Sequence, residues 1–225
     1  MKKLFYFLFL YSGIVNAQSI EIGAYSGFKS SNIVNRRTSE SKAVIGKNYW
    51  NPNYGIQMAF NFKPNADNLS YRLIAFYDKS TAGSKSTNSN DKFEMESNTY
   101  GLTFGTTRQI NFNWSAGIGA GFAYGVLDTK NYYRGNLEQY QSFPKTEYDI
   151  IPKNNYFDFI IFIDVERNII PNVLNFVIAL NINASVTKIN QSQGSYGIQG
   201  GGLSAGFRYN FELSKYPKNE PVIYE

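Results

Sequence analysis

The sequence predicts an all-β fold, an eight-stranded antiparallel up-and-down transmembrane β-barrel, and three observations carry that expectation. Apolar and non-apolar residues alternate through eight segments; the links between segments run long, short, long, short; and the face opposite the apolar one is built of glycine, serine, threonine, asparagine and a few charges. Period-two alternation gives a strand one oily and one wet face. An even number of such segments, each of about ten residues and joined by alternately long and short links, is the pattern of a barrel that meets lipid. No helical period competes after residue 17.

The chain begins with a compartment signal. Lys2 and Lys3 precede the apolar run LFYFLFLYSGIV, and Val15-Asn16-Ala17 offers the small-x-small pattern of a cleavage site. That layout predicts a signal peptide over 1–17, with the exported chain starting near Gln18. A membrane-anchoring helix would need about 20 apolar residues, and this run stops sooner. The absence of cysteine excludes lipidation at the cleavage site, disulfides and thiolate metal sites. Without Lys2 and Lys3 the chain carries 20 basic against 17 acidic residues, too mild an excess to argue for nucleic acid.

The strands follow in order. The first is about 19–28, SIEIGAYSGF, and the second about 50–62, with Tyr54, Ile56, Met58, Phe60 and Phe62 on one face. The third, about 69–79, shows Leu69, Tyr71, Leu73, Ala75 and Tyr77; the fourth, about 95–108, sets Tyr100, Leu102 and Phe104 against Gly101, Thr103 and Gly105. In the fifth, about 112–126, Phe112, Trp114, Ala116, Ile118, Ala120, Phe122, Tyr124 and Val126 alternate with mostly glycine and serine. The sixth, about 156–167, aligns Phe157, Phe159, Ile161, Ile163 and Val165. The seventh, about 175–188, aligns Phe176, Ile178, Leu180, Ile182 and Val186. The eighth, GLSAGFRYNFEL over 202–213, alternates without a slip.

The links KPNADN, RQIN and NIIPN are turn-sized and carry turn residues. The others, about 29–49, 80–94, 127–155 and 189–198, are long and polar. The minority face decides which side meets water. A wall of Gly101, Gly105, Gly117, Gly119, Gly121, Gly125, Gly202 and Gly206 offers neither solubilising charge nor packing to the outside of a soluble barrel. Inside a narrow membrane barrel small residues let the wall close up. Glu21, Arg72, Asp164, Glu166 and Arg208 share that inward face in the half nearest the short links, the periplasmic half if the first strand runs outward. They form a candidate ionic network that blocks the bore, with Glu21 and Arg208 expected to pair across the closure of strands one and eight. The alternative is that some are solvated strand ends. A lone arginine turned to lipid would cost about 2–4 kcal/mol at mid-membrane.

On these residues the chain resembles the small eight-stranded outer-membrane β-barrels of the OmpA/OmpX-like kind, especially the PorT-like barrels of Bacteroidota. The resemblance covers 18–213 and rests mainly on pattern. Its sharper feature is the last strand, where Ser204, Gly206, Tyr209 and Phe211 match the assembly signal of such barrels, polar-x-Gly-x-x-aromatic-x-apolar or aromatic. The resemblance implies that barrel-assembly machinery reads this strand. It also raises an accessory role in protein secretion. Such chains usually end on the terminal Phe, whereas here a tail follows over 214–225, either periplasmic and disordered or a partner-binding segment.

The chain contains no histidine, which excludes a Ser–His–Asp device and His-ligated metal. No cofactor and no enzymatic activity is expected. GIGAGFAYG looks like a dinucleotide loop, but that mechanism needs a helix after the glycines, and alternation runs straight through them. Two surface features remain. Lys29, Arg36, Arg37, Lys42 and Lys47 make the first long link basic, either to meet lipopolysaccharide phosphates or simply as a solvated loop. The tyrosines of NYYRGNLEQYQSFPKTEYD suit a protein or glycan partner, or an aromatic collar. The expected role is non-enzymatic, in envelope structure or loop-mediated interaction. A narrow channel and a soluble carrier with an inward apolar pocket are the competing readings.

Overall fold

The computed structural model of the 225-residue chain describes residues 17–35, 50–62, 69–85, 92–128, 155–187 and 196–213. Eight strands follow in order: β1 (Ser19–Asn35), β2 (Trp50–Phe62), β3 (Leu69–Lys85), β4 (Lys92–Asn111), β5 (Trp114–Asp128), β6 (Asn155–Ile170), β7 (Leu174–Ser185) and β8 (Tyr196–Glu212). Each pairs antiparallel with the next, and β8 closes on β1, giving one closed up-and-down barrel. No helix occurs among the described residues.

The side-chain phase answers the question that the alternation poses. Along β6 exposed and buried residues alternate without a break from Asn155 to Arg167. The exposed positions are the apolar ones: Ile118, Phe122, Phe207 and Tyr209 are 55%, 60%, 54% and 46% exposed, whereas Arg208 between the last two is 2% exposed. A soluble barrel with an apolar pocket would show the opposite phase. The apolar surface here is therefore a band around the outside of the barrel, broken at Phe60, which shares the outward face of Ile56 and Met58 but is only 2% exposed.

The height of that band fits a bilayer. On β4 the outward positions run from Asn98 to Arg108 through Tyr100, Leu102, Phe104 and Thr106. Ten residues rise about 33 Å along a strand, or about 25 Å along the axis of a barrel tilted by about 40°. Aromatic pairs bracket the band. Tyr77–Tyr100 and Tyr124–Phe157 lie toward the long links, with centroids 5.2 Å apart in each pair. Phe176–Phe207 and Tyr209–Phe211 lie toward the short links.

Strand ends differ from the sequence expectation mainly on the long-link side. β1 continues to Asn35, β3 to Lys85, and β4 and β8 begin at Lys92 and Tyr196. Above the apolar band a strand needs only its ladder of backbone hydrogen bonds, so the ladder outlives the alternation that announces it. At the short-link end the turns are set by asparagine. Asn111 Oδ1 accepts from the backbone N–H groups of Asn113 and Trp114 at 2.9 and 3.0 Å, closing the β4–β5 hairpin. Asn172 takes the positive φ of 60° in the β6–β7 turn, a conformation asparagine tolerates better than most residues.

Candidate functional site

The inward faces of the eight strands build a bore in layers. The layer nearest the short turns contains Glu21 on β1, Arg72 on β3, Asp164 and Glu166 on β6, and Arg208 on β8, all buried. Both guanidiniums converge on Glu166: Arg72 Nη1 and Arg208 Nη1 each donate to its Oε1, and Arg72 Nη2 donates to Oε2 at 3.2 Å. Asp164 Oδ2 accepts from Arg208 Nη2 at 3.1 Å and from Arg72 Nη1 at 3.4 Å. β2 joins through amides, because Asn61 Oδ1 accepts from Arg72 Nε at 2.8 Å and Gln57 Oε1 from Arg208 Nη2 at 3.2 Å. The structure thus brings the five residues together across the full bore.

Glu21 and Arg208 are close but not a tight pair. Their nearest atoms stand 3.9 Å apart, whereas Glu21 Oε1 accepts from Asn61 Nδ2 at 3.0 Å and lies 3.6 Å from Arg72. The register gives the reason: Glu21 lies opposite Asn210, and Arg208 opposite Gly23, so the two meet diagonally.

Above this layer the bore is more apolar, with Thr103 and Ser204 among its buried polar side chains. Ala59, Ile74 and Phe162 form a buried cluster. Among the described residues four aromatic side chains point inward, and each lies opposite a glycine on a neighbouring strand. Tyr25 faces Gly55 and Gly206, Phe76 faces Gly101, Tyr156 faces Gly125 and Phe162 faces Gly119. At Gly101 and Gly125 the rings of Phe76 and Tyr156 occupy the space a Cβ would need. These glycines are seats for rings, not an open column along the wall.

A second polar layer lies toward the long links. Lys29 Nζ stands 3.6 Å from Asp78 Oδ2. Asp78 Oδ1 accepts from Asn53 Nδ2 at 2.9 Å and from the Tyr25 hydroxyl at 3.3 Å. Asp158 Oδ2 accepts from Asn183 Nδ2 at 2.7 Å, and Tyr156 shares a 2.6 Å hydrogen bond with Ser97. This layer corrects the reading of Lys29. It is no loop residue available to lipopolysaccharide but a β1 residue only 7% exposed, because the strand runs on past Phe28 and carries Lys29 to the inward face. Arg36, Arg37, Lys42 and Lys47 lie outside the described residues.

Between the polar layers is a cavity of about 80 Å³, bounded by Tyr25, Lys29, Asp78, Phe162, Asn183 and Arg208 among others. No group of acidic side chains able to hold a metal ion occurs among the described residues. Of the candidate assembly-signal residues, Ser204 and Gly206 face the bore, and Tyr209 and Phe211 face outward.

Inward charges inside the alternating segments were legible by phase. Asp78 and Asp158 carried the same signal, since Asp78 shares the face of Arg72 and Asp158 that of Asp164, but following it requires holding the phase to the end of each strand.

No protein-family model and no curated protein matches the chain. Solved structures do. The outer-membrane protein OprG from Pseudomonas aeruginosa is 13% identical, with a TM-score of 0.51 over 88% of this chain and 97% of that one. Neisserial surface protein A is 11% identical, with a TM-score of 0.49 over 85% and 97%. Ail, the attachment invasion locus protein of Yersinia pestis, is 13% identical, with a TM-score of 0.41 over 85% and 98%. At such identities the likeness to OprG concerns the fold: a small eight-stranded barrel of the outer-membrane kind.

Proposed function

We propose that the chain is a non-enzymatic integral outer-membrane β-barrel with a closed bore, acting in envelope structure or through contacts made by its long links. One observation carries this reading: the apolar side chains face outward over about 25 Å while rings and ion pairs fill the interior. The non-enzymatic part is supported by the absence of histidine and by a bore whose ionic groups are bound to one another. The test is conductance in planar bilayers. The closed-bore reading expects no steady openings at neutral pH; regular single-channel steps would replace it with a narrow channel.

The channel reading draws support from the cavity of about 80 Å³, which is a start toward a path. A solute leaving it toward the short turns would have to part Arg72 and Arg208 from Glu166. A PorT-like accessory role in secretion rests on the sequence resemblance. Deleting the gene and comparing secreted proteins tests it, and an unchanged secretome excludes it. Lipopolysaccharide phosphates are the partner proposed for Arg36, Arg37, Lys42 and Lys47, with a solvated loop as the alternative.

A further inference from the structure

The outward charged side chains that the structure describes include Lys79, Glu96, Arg108 and Arg167, which fall into two unlike groups. Toward the long links Lys79 and Glu96 pair with each other at 3.5 Å. Toward the short turns stand Arg108 on β4 and Arg167 on β6, both exposed and neither ion-paired to any described residue. Trp114 on β5 lies between them. It is opposite Arg167 in the ladder, and the Arg167 guanidinium rests over its ring at 5.6 Å. Two strand spacings and a two-residue offset along the strands put the arginine backbones about 12 Å apart across the wall, within joint reach of their long side chains for one small anionic group.

Apolar side chains flank them on both sides, with Thr106 and Gln109 the polar neighbours of Arg108. Up the wall come Ala116, Ile118, Ile163 and Val165; below, at the hairpin tips, Ile110, Phe112 and Ile169 are 63%, 74% and 49% exposed. An unpaired guanidinium set in an apolar field lacks an acceptor. At the depth where the band ends, the acceptor that a bilayer supplies is a phosphate diester, which the planar fork of arginine binds in bidentate fashion. Tryptophan beside it is the usual interfacial anchor.

We infer that Arg108, Trp114 and Arg167 form a phospholipid headgroup site in the leaflet nearest the short turns. The two guanidiniums hold the phosphate, and the acyl chains lie on the Ile118–Ile163 surface. The hairpin tips then sit among headgroups: Ile110, Phe112 and Ile169 continue the lipid-facing band, and the exposed Gln109, Asn111 and Asn113 beside them suit the polar headgroup layer. This inference rests on the membrane reading and adds to it a place, a leaflet and a ligand class.

Native mass spectrometry of the detergent-extracted protein tests it, with phosphatidylglycerol, phosphatidylethanolamine and diacylglycerol of matched acyl chains as probes. Heat-modifiable gel mobility of each sample reports the folded barrel independently. The inference expects both phospholipids to be retained over diacylglycerol. Either Arg108→Gln or Arg167→Gln should weaken retention by about 5-fold and the double variant by about 30-fold, while Lys79→Gln leaves it unchanged. Equal retention by the folded wild type and the folded double variant overturns the inference and leaves the membrane reading standing. So does retention of diacylglycerol as strong as that of phospholipid, which would mark the tips as a merely apolar surface open to a protein partner. A chain released from membranes without detergent would defeat both readings.

Discussion

The two polar layers of the bore contain the same kinds of chemistry in different proportions. The turn-end layer sets two arginines against three carboxylates and ties β1, β2, β3, β6 and β8 together through direct contacts. The loop-end layer has one lysine, Lys29, whose contact with Asp78 is 3.6 Å, and meets most of its polar needs with asparagine, serine and tyrosine. Arginine offers a rigid fork that can bridge several strands at once, whereas lysine is a point charge on a flexible stem. The first layer is therefore a brace across the bore, and the second a set of strand-to-strand contacts around one buried point charge.

If that contrast is right, substitutions should rank accordingly. Arg72→Met or Arg208→Met leaves carboxylates buried without their partner and should destabilise the barrel by about 3–5 kcal/mol, measured by urea unfolding in lipid vesicles. Gly125→Val, which drives a side chain into the Tyr156 ring, should cost about 1–3 kcal/mol by the same measurement. Lys29→Met should cost about 1–2 kcal/mol, because Asp78 keeps Asn53 and Tyr25 as donors. A loss at Lys29 equal to that at Arg72 would erase the distinction between layers. Lys79→Ala breaks the exposed outward pair with Glu96 and a contact with Tyr54, and should change stability by less than about 1 kcal/mol.

The same contrast marks how far the sequence could be read. The turn-end charges lie within segments whose alternation is unbroken, so their phase is visible: Arg208 sits between Phe207 and Tyr209, and Asp164 between Ile163 and Val165. Lys29 lies where the apolar alternation stops although the strand does not, so the linear pattern placed it in a loop. The inward rings escaped for another reason. Tyr25, Phe76, Tyr156 and Phe162 are aromatic residues on the polar face, and in one dimension they look like lapses in alternation. Their meaning lies in the glycines opposite, such as Gly101 for Phe76 and Gly125 for Tyr156, and that pairing depends on inter-strand register, which no single strand contains. For the same reason the sequence shows that small residues close the wall but not that Gly101, Gly119 and Gly125 are the floors of filled sites.

The central claim is the phase of the wall, and a chain without cysteine makes it directly measurable, since every introduced thiol is unique. Spin labels on single-cysteine variants from Phe157 to Val165 in a lipid bilayer should show oxygen accessibility with period two. The maxima should fall at positions 157, 159, 161, 163 and 165, and the minima at 158, 160, 162 and 164. Accessibility of the opposite phase, or maxima toward a water-soluble nickel chelate at the odd positions, would contradict the account.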